Sequence, residues 1–442
     1  MSHLGTLLLV SGDSRGGQGL TSRLTEGGFD VTFVSDGSKA IKAAQNDHPD
    51  IIVSLTTLPD MSGIDLANKL KEDTETADIP VALLCDHFST ELSQQALEAH
   101  IDDLVVQPID PGVLVARLKP LLRLSTMHTE LSRRAQVASR FGMEAAGKVD
   151  IAVDDANQQI LLVSRDKKAA QTYAGLLAKA NVTITENLIE AEDLLTQKNF
   201  DAALLDVTDS PAEHLSLCSQ IRNNSRLFNL PVLLIAAPGT FADPVEPYRR
   251  GASRVLVRPS DPDLLVTALL ALVRRQRLRW RIREALLKTM GKATGDDRTA
   301  AYSKEFMLAH LAGRLEHARR GGRNLSLVYL NIPNISAVVH QFGKEAGEQL
   351  LAQLGNWIMG LLRAEDLTAR SGDSEFCLVL PDTPIEEAEI VMHRIASVLT
   401  YTDFAVPDVY QPVKVWVEVG SALAREDDSV ETLLARAHTR LG

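Results

Sequence analysis

Cysteine is nearly missing from this chain of 442 residues: only Cys85, Cys218 and Cys377 occur, far apart. That spacing excludes a disulfide framework and a zinc ribbon, and it fits a reducing cytoplasm, where the protein is expected to reside. The chain also has no run of the ~20 apolar residues that a membrane-crossing helix needs, so no membrane insertion is expected. Its first residues, Met1-Ser2-His3-Leu4-Gly5, lack the basic start and apolar core of a secretory signal. Basic excess is absent as well. Lys and Arg number 46 against 58 Asp and Glu, a formal charge of −12, which argues against DNA or anionic membrane as a non-specific partner. His87, His214 and His340 show no metal-ligand spacing, so no metal and no cofactor is expected.

What remains is ordinary globular material, 45% hydrophobic and 24% charged, enough for about three domains at ~150 residues each. The chain contains a repeat. TLLLV at 6–10 and QILLV at 159–163 each open a series of apolar strands alternating with helical segments. Corresponding phrases follow at an offset of about 150 residues: Pro49-Asp50-Ile51-Ile52-Val53 with Phe200-Asp201-Ala202-Ala203-Leu204, IPVALLC (79–85) with LPVLLIAA (230–237), and Val106-Gln107-Pro108 with Val257-Arg258-Pro259. Two such copies predict tandem parallel α/β domains, with functional crevices at the carboxyl ends of the strands. Predicted boundaries are 1–125, a linker helix over 126–156, 157–290, a Gly- and Asp-rich linker at 291–297, and a third α/β domain over 298–442. The arginine run 274–283 is interleaved with Leu278, Trp280 and Ile282, which suits a connecting helix with a solvated face better than a nucleic-acid patch.

The two copies resemble receiver domains of two-component response regulators, which implies flavodoxin-like folds. In that family an acidic pair holds magnesium after the first strand, an Asp ending the third strand accepts the phosphoryl group, and Thr or Ser and then Lys complete the site. In the first copy those positions hold Ser11-Gly12, Leu55, Cys85 and Gln107, so it is expected to be inert. The second keeps Asp206 at the acceptor position but has Ser164-Arg165, Ala236 and Arg258 elsewhere. Asp206 is therefore either a phospho-acceptor working through Asp166, or a remnant neutralised by Arg165 or Arg258. The second is the expected reading, with both receivers serving as a dimerising and docking stem.

From Gly372-Asp373-Ser374-Glu375-Phe376, followed by Leu380-Pro381-Asp382-Thr383, the third domain resembles the GGDEF (diguanylate cyclase) domain, a nucleotidyl-cyclase-like α/β fold. Family metal ligands fall on Asn331 and Ser374, one hairpin glycine on Asp373, and the base-reading Asn on Val339; Gly372, Glu375 and Glu348 are kept. The sequence ends at Arg440-Leu441-Gly442, ahead of the Lys and Arg that family members use to hold phosphates, which is expected to add to the loss. Two divalent cations lose two formal charges at Asn331 and Ser374, so no catalytic residues and no cyclase activity are expected.

The family's product site, Arg-x-x-Asp ending five residues before the hairpin, falls on Arg363 and Asp366. The same four-residue pattern at Arg258–Asp261 and Arg425–Asp428 lacks that register. Arg394 falls on a second family arginine, and a third falls on His317, with Arg319 and Arg320 close enough to substitute. The resemblance thus implies cyclic di-GMP as ligand, gripped by guanidinium forks and by a carboxylate that accepts from guanine N–H groups. Regulators of receiver–receiver–GGDEF order with all three sites decayed imply a non-catalytic effector. It would form a homodimer through its receivers and recruit protease adaptors or cell-pole proteins for ClpXP proteolysis in cell-cycle control. The rivals are a residual cyclase using Glu375 and Asp373, a phospho-switched scaffold through Asp206, and a scaffold that binds no nucleotide.

Overall fold

A computed structural model describes residues 3–151, 156–207, 210–224, 226–406 and 409–439. The chain divides into two compact units: residues 4–125 with 150–281, and residues 126–149 with 282–442.

The first unit holds two parallel sheets. Strands β1 (Gly5–Val10), β2 (Phe29–Val34), β3 (Ile51–Leu55), β4 (Val81–Cys85) and β5 (Asp103–Val106) line up as β2-β1-β3-β4-β5. Strands β6 (Gln159–Val163), β7 (Asn181–Thr185), β8 (Ala202–Val207), β9 (Val232–Ala236) and β10 (Arg254–Val257) repeat that order as β7-β6-β8-β9-β10. Both are the flavodoxin-like permutation expected from the repeat. The central strands are covered on both faces, which is why they read as unbroken apolar runs. The repeated Asp at 50 and 201 has a structural task. Asp50 accepts from the Thr6 backbone N–H and hydroxyl, both at 2.8 Å, and Asp201 accepts from the Gln159 N–H at 2.8 Å, fixing the start of each third strand to the first.

The two parallel-sheet domains pack through positions that correspond in the repeat. Asp103 of β5 accepts from Arg117 (2.7 and 2.9 Å) and from Arg254 of β10 (3.0 Å), all three side chains being buried. Here the expected solvated face of the arginine run is corrected. Arg275 and Arg279 are buried, Arg279 donates to the Pro120 carbonyl at 2.9 Å, and Arg277 pairs with Asp201 at 2.9 Å. The guanidiniums are spent inside the unit, largely on backbone carbonyls and aspartates.

The second unit has an antiparallel sheet of β11 (Leu325–Asn331), β12 (Leu367–Arg370), β13 (Glu375–Pro381) and β14 (Glu418–Leu423), ordered β12-β13-β11-β14. Helices Lys344–Leu361 and Ile385–Tyr401 cover one face. Helix Lys304–Gly321 covers the other, joined by Val137 and Ala138 of the stem helix Pro111–Arg140. The stem helix starts at Pro111 and ends at Arg140, so it reaches only part of the linker helix expected over 126–156. Residues 291–297 are not a free linker either. Thr294 is wholly buried and donates to the Thr289 carbonyl at 2.9 Å, while Asp296 accepts from the Thr299 N–H at 2.9 Å.

Candidate functional site

At the carboxyl end of β1, Asp13 accepts from the N–H groups of Arg15 and Gly16 and so caps the following helix. Leu55, Cys85 and Gln107 offer no carboxylate or amine, and burial pushes the Cys85 thiol pKa up, keeping it protonated. In the second parallel-sheet domain Asp206 is buried near the end of β8. The Arg258 guanidinium forms an ion pair with its Oδ1, and the Ser164 hydroxyl donates to Oδ2 at 2.8 Å. Arg165 turns to Glu213 at 3.2 Å instead. Asp166, the acid that a remodelled metal site would need, caps its helix by accepting from Lys168 and Ala169. The one carboxylate at the acceptor position thus has a cation supplied by the protein itself.

In the third domain the sheet register places Asn331 between Glu375 on β13 and Glu418 on β14. The Asn331 amide donates to Glu418 at 2.7 Å and its carbonyl accepts from the Ser374 hydroxyl at 2.8 Å. Glu375 lies 3.0 Å from His438. The hairpin tip is tied down by Arg370, which donates to the carbonyls of Gly372 and Asp373, each at 3.1 Å, while the Asp373 side chain stays exposed. Glu348 faces Arg298 at 3.4 Å and Lys344 at 3.7 Å. Val339 lies against Gly347, where any side chain would collide with it. Among the described residues no three His, Cys, Asp or Glu side chains form a metal-holding group. An amide and a hydroxyl bonded to each other at the family's metal positions do not fit a pair of divalent cations. Arg440, Leu441 and Gly442, on which the expected loss of phosphate-holding residues rests, lie outside the described residues.

Arg363, Asp366 and Arg394 meet at the connection between helix Lys344–Leu361 and β12. The Asp366 carboxylate accepts from the Arg363 N–H at 2.9 Å, and Arg394 donates to the Leu361 carbonyl at 2.9 Å, two residues before Arg363. Arg363 also reaches Glu387 at 3.5 Å. Burial alone lowers its pKa, but Asp366, Glu365 and Glu387 outweigh that and raise it. Arg425–Asp428 makes the same turn at 2.8 Å, so turn geometry does not distinguish the two. Their surroundings do: the Asp428 carboxylate is paired with Arg436, whereas Arg394 brings a second guanidinium to the Arg363 corner. Arg319 and Arg320 do not join it. Arg319 donates to the Asp428 carbonyl, beyond β14 at the opposite edge of the sheet, and Arg320 pairs with Glu316 on its own helix. Their placement beside the ligand site is thereby corrected, because the helix end points toward β14 rather than β12.

Three residues escaped the sequence reading: Glu418, His438 and Arg134, whose guanidinium donates to the Glu365 carbonyl inside the Arg363–Asp366 turn. Only strand register, unknown before the structure, would have pointed to Glu418.

A model of the diguanylate cyclase GGDEF domain matches residues 293–442, and one of the response regulator receiver domain matches residues 7–119. "Response regulator PleD" of Caulobacter vibrioides is 27% identical over 419 residues, covering 95% of this chain and 92% of its own length. The probable transcriptional regulatory protein TcrX of Mycobacterium tuberculosis is 36% identical over 124 residues, 28% of this chain and 52% of its own. Among solved structures, the GGDEF domain of DgcB from Caulobacter crescentus in complex with c-di-GMP aligns at TM-score 0.33 and 18% identity, covering 34% of this chain and 86% of that one. Among the described residues, no helix is long and apolar enough to cross a membrane.

Proposed function

We propose that this chain, a receiver-plus-GGDEF response regulator related to PleD, is a non-catalytic cyclic di-GMP effector that binds its ligand at Arg363, Asp366 and Arg394. The observation that carries this reading is the contrast between two sites of one domain. At the metal positions Asn331, Ser374 and Glu418 are occupied with one another. At the other corner two guanidiniums and a carboxylate converge on one connection. A guanidinium fork suits a phosphate oxygen pair or the O6/N7 edge of guanine, and a carboxylate suits the guanine N–H donors.

The stem reading follows from the same logic. Leu55 has no nucleophile, and Arg258 on Asp206 supplies internally the positive charge that a bound metal ion would otherwise bring. The receivers then serve for self-association and for docking partners. With most of the phospho-switch and cyclase positions replaced, the chain resembles the regulator PopA, which implies polar recruitment of protease adaptors and ClpXP-dependent proteolysis. The competing enzyme reading is a residual cyclase using Glu375 and Asp373 in place of the missing ligands, to which strand register adds Glu418 beside Asn331 as a further acid.

Calorimetric titration of the purified protein with cyclic di-GMP tests the proposal. Charge-assisted bonds are worth about 1.5–3 kcal/mol each, so Arg363→Ala should weaken binding at least roughly tenfold to hundredfold. Arg425→Ala should leave affinity near that of the parent. Binding that survives Arg363→Ala unchanged would place the ligand elsewhere, and no binding at all would leave the structural scaffold as the better reading.

A further inference from the structure

From Thr126 onward the stem helix belongs to the unit that contains the GGDEF domain. There it carries Glu130 and Arg134, one turn apart and both buried. Arg134 spans two jobs. Its Nε lies 3.3 Å from the Glu130 carboxylate, and its Nη2 donates to the backbone carbonyl of Glu365. Glu365 is the third residue of the Arg363–Asp366 turn. The guanidinium also sits over the Tyr302 ring, 5.7 Å from its centroid. Burial alone would lower the Arg134 pKa, yet Tyr302, Glu130 and Asp366 together raise it, so Asp366 lies within its electrostatic reach. Glu130 is held in turn by Arg314 and His310 of helix Lys304–Gly321, each at 3.1 Å. A continuous hydrogen-bonded and ionic path therefore joins the stem helix, the domain body and the turn that carries Arg363 and Asp366.

We infer that Arg134 is a positioning residue for the Arg363–Asp366 site, and that it couples cyclic di-GMP binding to the packing of the stem helix. This rests on the binding reading above and names the regulation of that same site. Holding the Glu365 carbonyl fixes the peptide plane between Glu365 and Asp366. That limits the directions open to the Asp366 carboxylate before any ligand arrives, and ordering accomplished in advance is not charged against affinity. Coupling of this kind is reciprocal. If the stem helix seats the turn, ligand on the turn must tighten the stem helix by the same factor.

The test uses the full chain. Cyclic di-GMP is titrated into the parent, Arg134→Gln and Arg134→Lys, and amide hydrogen exchange over 126–140 is followed with and without ligand. Coupling energies typically correspond to effects of about five-fold or more. Arg134→Gln should therefore weaken binding roughly five- to thirty-fold, with Arg134→Lys recovering part of the loss. Ligand should slow exchange over 126–140 in the parent and fail to do so in Arg134→Gln, a response that a merely structural arginine would not give. Equal affinity in parent and Arg134→Gln, or ligand protection confined to 361–370 in the parent, overturns the inference, and the second readout requires no variant to fold. If the parent binds no cyclic di-GMP, or Arg363→Ala binds as well as the parent, the binding reading itself falls, and the inference with it.

Discussion

Glu130→Gln is the sharpest perturbation that the second unit offers, because it removes one charge and almost no volume. Glu130 has no exposed surface and faces three basic groups: Arg314 at 3.1 Å, His310 at 3.1 Å and Arg134 at 3.3 Å. Burial pushes its pKa up, but Arg314, His310 and Arg134 outweigh burial and hold it well below the ordinary carboxylate value of 4.5. An amide in its place leaves two arginines in the interior without their shared counter-charge. Breaking a buried pair from one side costs about 3–5 kcal/mol. The lower end applies here, since Arg134 keeps the Glu365 carbonyl and Arg314 keeps Asp382 at 3.6 Å. For a unit of this size about 3 kcal/mol corresponds to roughly 6–12 °C in unfolding temperature. Scanning calorimetry, with hydrogen exchange over helix Lys304–Gly321 to separate this unit from the other, measures it. The pH dependence adds a second check. Because the folded pKa of Glu130 is depressed, its contribution is complete above 4.5 and is lost as pH falls through the folded value. Burial, with Arg134 and Arg314 nearby, also sets the His310 pKa below 6.5 despite Glu130. The folded state therefore binds fewer protons than the unfolded one just under pH 6.5, and stability starts to decline there. The variant should lose the limb below 4.5 and keep the one that begins at 6.5. An unfolding temperature within about 2 °C of the parent, or an unchanged lower limb, would refute the account.

Arg258→Met should take the guanidinium counter-charge away from buried Asp206 and destabilise the second parallel-sheet domain by about 3 kcal/mol, read as a lowered calorimetric transition. Adding Asp206→Asn should recover most of that loss, and a double variant no better than the single would show that the pair matters little. Acetyl phosphate with magnesium should leave the elution volume on size exclusion unchanged; a shift that disappears in Asp206→Asn would revive the phospho-switch. GTP with magnesium or manganese should yield no cyclic di-GMP by chromatography, and product that is absent from a Glu375→Ala/Glu418→Ala control would restore the cyclase reading.

The parallel sheets were legible because strands buried on both faces spell continuous apolar runs, and Ile51-Ile52-Val53 and Ala202-Ala203-Leu204 do so at equal offsets. The repeated Asp50 and Asp201 were visible only as punctuation, since their task depends on the backbone of a strand more than 40 residues away. Residues 291–297 were misread for a physical reason. Glycine and aspartate mark a turn whether it floats or is tethered, and the tether here is made by Thr289, Thr299 and Arg370. Arg363 and Asp366 were assigned to the ligand-site positions by register against the hairpin, a local relation that can be read without a structure. Arg319 was misplaced because proximity along a helix end does not reveal which strand it faces. Arg134 is 231 residues from Glu365, and no pattern in the stem announces that contact.

On the proposed non-catalytic reading, the receiver and cyclase positions share one physical solution, which would put them more than one substitution away from activity. A receiver or cyclase centre is a cluster of carboxylates that repel one another until a cation arrives. In this chain the repulsion is removed from within: Arg258 neutralises Asp206, Asn331 replaces an acid and donates to Glu418, and Ser374 donates to Asn331. Each replacement is bonded to its neighbour, so a single reversion meets a partner adapted to its absence. Asn331→Asp would set two carboxylates face to face across the 2.7 Å now spanned by a hydrogen bond, with Glu375 on the other side and no second acid at Ser374 to complete a metal shell. The Arg363–Asp366 corner obeys the opposite logic. Its two guanidiniums, Arg363 and Arg394, carry their own positive charge beside the Asp366 carboxylate, so on the proposed reading an anionic ligand needs no metal there and meets charge-assisted hydrogen bonds directly.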